Sequence, residues 1–155
     1  MGVMKFMNFF HLIGAIIWIG GMIYINFILM PRLKVIDPQE RGKLLNAISK
    51  PFSIMEWTSI VVLILTGLHK TPAGMMFNMT STYGTIMFIK HILILIAIFV
   101  GLAIAFGALP KMRKLAPKPG EKPLEEFISA QKTLGMLSVT NMVLGIIIVI
   151  LIKFI

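Results

Sequence analysis

The sequence predicts an all-α fold: an integral membrane four-helix bundle with both termini on the outer side. Three observations predict it. The 155-residue chain is 57% hydrophobic and only 14% charged, with a mean hydropathy of +0.92, whereas a soluble domain carries about 25% charge. Four apolar runs are each close to the roughly 20 residues that cross a bilayer. Lysine and arginine gather in two of the three connecting loops and are sparse on the opposite side.

The runs are read in order as a single domain, 1–155, with helices at about 5–30, 52–69, 83–109 and 134–154. The first run stops at Pro31–Arg32, and the polar stretch that follows, up to Lys50, can form an interfacial helix. The second ends at His69–Lys70. The third is stopped by Pro110 with Lys111, Arg113 and Lys114. A Pro/Lys/Gly linker, Ala116 to Pro123, and an amphipathic approach lead to the fourth. The first run lacks a basic leader and a small-residue cleavage site, so it reads as a span rather than a cleaved signal.

Orientation follows from the loops. Arg32, Lys34, Arg41, Lys43 and Lys50 lie between helices one and two, and six more basic residues lie between helices three and four. The positive-inside rule puts both loops in the cytoplasm and both termini outside. The net charge of +9 is thereby explained by the membrane, and no nucleic-acid partner is expected. The expected location is the plasma membrane, multi-pass. The chain has no cysteine, which excludes disulfides, thiolate metal sites and cysteine nucleophiles.

The three histidines, His11, His69 and His91, all fall toward the outer side. His11 and His91 each lie about two turns into their helices, roughly 10 Å below the boundary. His69 sits at the tip of helix two. Ionisable groups inside a membrane are costly and face the bundle interior. On helix one, Asn8, His11, Gly14, Ala15, Trp18, Met22 and Asn26 share a stripe. On helix three, Gly84, Met87 and His91 do so. His11 and His91 are thus expected to face each other.

Two imidazoles at one depth suit a b-type haem, which needs no cysteine attachment. Gly14 and Ala15 would leave room for a macrocycle, Asn8 would orient the His11 ring, and Trp18 could stack near the cofactor. Lys5, Lys70 and Lys90 are placed to meet propionates. The alternative for each histidine is a structural hydrogen bond or an interfacial position. Lys90 can also snorkel to the headgroups, or act as a ligand if deprotonated. Methionines cluster on the same side, including Met75, Met76 and Met79 in the outer loop. Thioether with imidazole suits Cu(I), although methionine is also a common filler of apolar surfaces. Glu56 is expected near the cytoplasmic end of helix two, paired with a loop lysine. Trp57 and Tyr83 read as interface anchors, and the middle of the bundle reads as free of polar groups.

The segment HLIGAIIWIGGMIY (His11 to Tyr24) followed by PRL (Pro31 to Leu33) resembles the first helix of the CopD superfamily. FSIMEWTSIVVLILTGL (Phe52 to Leu68) resembles its second helix, which typically ends in a TG pair, here Thr66–Gly67. A lysine early in helix three also recurs there, matching Lys90. The resemblance covers about the first two-thirds of the chain. It implies a four-helix core and one of two roles: copper uptake, as in copper-resistance D domains, or haem-b-dependent porphyrinogen oxidation, as in HemJ-type proteins, with His11 and Lys90 implicated. The axial pair is then His11/His91 or His11/Lys90.

Three functions follow as expectations. The first is a b-haem protein for electron transfer or a membrane oxidoreductase acting near the outer face, with a redox partner or quinone. The second is a copper-binding transporter. The third is a non-catalytic assembly subunit. A homo-oligomer is compatible with all three.

Overall fold

Four long helices make up the computed structural model, which describes residues 2–33, 35–72, 74, 79–117, 121–151 and 153. They are α1 (Gly2–Leu33), α2 (Pro38–Lys70), α3 (Thr82–Lys114) and α4 (Glu125–Leu151). Each is long and apolar enough to cross a bilayer, and no strand occurs among the described residues. The chain is an all-α, multi-pass membrane bundle.

The helix starts have local causes. Pro38 opens α2, a position where its missing N–H costs nothing. Ser81 caps α3, its hydroxyl accepting the Gly84 N–H at 3.1 Å. Glu125 and Glu126 occupy the first turn of α4, where carboxylates complement the helix dipole.

The prolines do not stop the helices. α1 runs through Pro31 to Leu33, and α3 runs through Pro110 to Lys114. In both, a π-helical turn lies before the proline with one residue between them: Tyr24–Leu29 and Ala103–Ala108. There the Met30 N–H bonds to the Ile25 carbonyl, and the Leu109 N–H to that of Ile104. Proline clashes with the carbonyl four residues back, and the wider i→i+5 turn makes room for it. Pro51 is likewise inside α2, so the stretch expected as a separate interfacial helix is the first part of α2.

Packing is uneven. α1 lies closely on α2, α3 on α4, and α1 against α4, whereas α2 and α3 touch at only a few points. Gly14 sets the first contact: a Cβ there would stand 3.2 Å from Leu63 Cγ and 3.4 Å from the Ser59 carbonyl oxygen. Gly145 sets the α1–α4 contact, 2.9 Å from Met22 Cε on the same measure. Trp18, Met22, Ala97, Met142 and Ile148 form the central core. A second cluster, Met112, Ala130 and Leu134, closes the basic end with Leu45. Large side chains such as Phe27, Phe99 and Phe106 are exposed at 66%, 68% and 79%. In water such a surface would aggregate. In lipid it is the solvated face.

Candidate functional site

The seam between α2 and α3 opens into two cavities, one toward the termini and one toward the basic loops. The first has a volume of about 340 Å³ and is lined by His11, Trp18, Gly67, Lys90 and His91, with Ile60 at its floor. His11 and His91 each lie nine residues into their helices, a depth of about 14 Å.

The ring orientations are fixed by hydrogen bonds. The Thr66 hydroxyl donates to the Val62 carbonyl at 2.6 Å. Its one proton is therefore engaged, and it accepts from His11 Nδ1 at 2.8 Å. His91 Nδ1 donates to the Met87 carbonyl at 2.6 Å, since a carbonyl can only accept. Both Nδ1 atoms are thus engaged by the protein, and the Leu63 backbone is a further hydrogen-bond partner of the His11 ring; with the proton on Nδ1, each ring carries its lone pair on Nε2. That is the state in which histidine binds a metal, with Nδ1–H held by an outer partner. Gly67 lies beside the His11 ring: a Cβ there would stand in ordinary contact with His11 Cε1, at 3.5 Å.

Charge favours an anion here. Lys90 lines the cavity, and Lys70 lies within electrostatic reach of both His11 and Lys90. All six carboxylates lie elsewhere in the sequence, in or near the basic loops or at Glu56.

The other residues expected at the site are placed as follows. Trp18 is buried on the cavity wall, and its Nε1 has no hydrogen-bond partner. Gly14 is a contact point between α1 and α2 rather than a space beside His11. Asn8 is exposed and does not line the cavity, and Thr66 holds the His11 ring instead. His69 is exposed at the end of α2. Met79 is exposed, while Met75 and Met76 lie outside the described residues. No group of three or more His, Asp or Glu suited to a metal ion occurs among the described residues.

The middle of the bundle is not free of polar groups. Glu56 lies roughly 27 Å along α2 from Pro38, so it is deep in the helix rather than at its end. It packs against Gly21, whose Cβ would stand 3.1 Å from Glu56 Oε1. That oxygen is buried without a hydrogen-bond partner, and among the described residues Glu56 forms no pair of the kind expected from the sequence with a loop lysine. Trp57 is no interface anchor. Its ring reaches across to Gly101 of α3, 3.9 Å from where a Cβ would be. Glu56, Trp57 and Asn141 line the second cavity, of about 710 Å³, and Ile60 lines both.

A relative from Aquifex aeolicus (strain VF5), described as an uncharacterized protein, is 34% identical over 64 residues. The match covers 41% of this chain and 44% of that protein, so the chain spans less than half the length of the curated relative. No solved structure matches the chain. The family model described as "Domain of unknown function (DUF4149)" matches residues 13–119. That range begins two residues after His11, in the fourth turn of α1, and holds all of α2 with Lys90 and His91; it is more than half of the chain, so the chain belongs to the DUF4149 family.

Proposed function

We propose that the cavity near the termini holds a b-type haem, bound axially by His11 and His91, and that the protein is a plasma-membrane electron carrier or oxidoreductase acting near the outer face. The observation that carries this reading is that His11 on α1 and His91 on α3 line one cavity, each with its Nδ1 held by the protein, at Thr66 and at the Met87 carbonyl. The donor set fits the group, because neutral imidazole is a natural haem ligand and no thiolate is required. The cationic surroundings fit it as well. Lys90 and Lys70 would meet the anionic propionates, whereas a bare copper ion would be repelled. Bound haem would supply one-electron chemistry. The chain's own part is to orient the two rings, keep the site apolar through Trp18 and its aliphatic neighbours, and balance the carboxylates with lysine. The basic loops support a cytoplasmic placement of the α1–α2 and α3–α4 connections.

Absorbance spectroscopy of the purified protein tests the reading. The expected result is a Soret band, with α and β bands sharpening on reduction. Haem retention should be lost in His11→Ala and in His91→Ala and kept in His69→Ala. Full haem occupancy in the His11→Ala/His91→Ala double variant would falsify the ligand assignment. A colourless protein holding one copper per chain would establish the copper reading instead.

A further inference from the structure

The second cavity carries a separate message, written in unsatisfied acceptors. Glu56 Oε1 and Asn141 Oδ1 are both buried with no hydrogen-bond partner, and both residues line this one space. Asn141 is only 5% exposed. A buried acceptor left unpaired costs about 1–3 kcal/mol, and two beside one cavity call for a ligand that donates.

The rest of the lining narrows the class of that ligand. The volume of about 710 Å³ lies within the range of small-molecule sites, roughly 300–1,000 Å³. The walls are mainly apolar, with Phe52 and Trp57 as flat aromatic surfaces. Hard cations require about six oxygen ligands, and one carboxylate with one amide falls far short. An organic ammonium would share the cavity with Arg41 and Lys132, two cations that line the same space. A neutral donor meets no such opposition. The loose α2–α3 seam gives a lipid-dissolved molecule a lateral way in. The two π turns also converge here, contributing Ile25, Asn26, Leu29, Ile104 and Ala105 to the lining, and such turns concentrate at functional sites.

We infer that this cavity binds a neutral, lipid-soluble aromatic diol of the hydroquinone class, with one hydroxyl donating to Glu56 and the other to Asn141. The ring lies against Trp57 and the tail leaves through the seam into the bilayer. This assignment does not depend on haem in the other cavity.

Calorimetry of the full chain in lipid nanodiscs, with empty nanodiscs as reference, tests it. The probe is a short-chain alkyl hydroquinone kept reduced. Saturable binding is expected, weakened about tenfold or more in Glu56→Leu and in Asn141→Leu. The dimethyl ether of the same hydroquinone, which has the same ring but no donor, should bind the unmodified chain at least about tenfold more weakly. The His11→Ala/His91→Ala variant should bind the hydroquinone as the parent does, which separates this site from the haem reading. Equal binding of the ether and the diol to the unmodified chain overturns the proposal, even if the leucine variants fail to fold. So does the absence of saturable binding, which would leave only water to satisfy the two acceptors.

Discussion

Thr66→Val isolates the device that readies His11. The substitution keeps the side chain's shape and removes its hydroxyl. The His11 Nδ1–H then loses the acceptor it has at 2.8 Å, while the Val62 carbonyl, which took the hydroxyl proton at 2.6 Å, keeps its helical N–H. A fully buried donor left unpaired costs about 1–3 kcal/mol. His11 is only half-buried, so about 1.4 kcal/mol is expected, or roughly a tenfold change in equilibrium. That change should fall on the ring's tautomer and, through it, on haem affinity. Nitrogen-15 NMR of histidine-labelled protein, which shows three imidazoles, reads the tautomer directly and needs no haem. His11 should be Nδ1–H in the parent and in Thr66→Ser, and mixed in Thr66→Val. An Nε2–H ring in the unmodified chain, or a tautomer indifferent to Thr66→Val, would refute the reasoning.

Other substitutions probe the packing and orientation. Gly14→Ala meets Leu63 Cγ at 3.2 Å and a backbone oxygen at 3.4 Å, neither of which yields easily, so it should destabilise the bundle by about 1–3 kcal/mol. Gly145→Ala crowds the flexible end of Met22, with Ile19 and Trp18 in ordinary contact at 3.7 Å, and should cost less; thermal unfolding in detergent compares the two. Gly67→Leu, placed against His11 Cε1, should displace the ring and abolish haem retention while leaving helical circular dichroism intact. The chain has no cysteine, so single cysteines report sidedness cleanly. Asn46→Cys should react with an impermeant maleimide only after cells are opened, and Met79→Cys in intact cells. The reverse pattern would invert the orientation.

The architecture was legible because its signals are collective. Apolar runs fix the number of helices, and the runs also fix depth, which is why His11 and His91 could be matched from their distances to the helix ends. Single contacts were less accessible. Thr66 sits in an unbroken apolar stretch, and nothing in that stretch distinguishes a threonine that merely bonds back to Val62 from one that also holds a ring on α1. The Thr66–Gly67 pair is visible as a motif, but the acceptor role of Thr66 and the place of Gly67 beside the His11 ring emerge only when α1 lies across them. Glu56 departs from its expected place for a different reason. A helix that starts after Pro51 puts the residue near an end, where a loop lysine can reach it. Starting at Pro38, the helix carries Glu56 into the interior, beside Gly21. The prolines misled in the same sense, since the geometry that tolerates them is not encoded by any one residue.

That geometry has a consequence for how the protein can vary. A π turn carries one residue more than an α-helical ladder of the same length. Deleting one residue from Tyr24–Leu29 or Ala103–Ala108 would restore the regular ladder and leave both flanks facing as before, whereas a deletion elsewhere in the helix would swing everything beyond it by about 100°. The two turns thus absorb a residue of length: Arg32 and Leu33, or Met112 and Arg113, would keep their angular setting relative to the histidine half of the same helix. Single-residue length changes in this fold should be tolerated at these two points and resisted between them and the histidines.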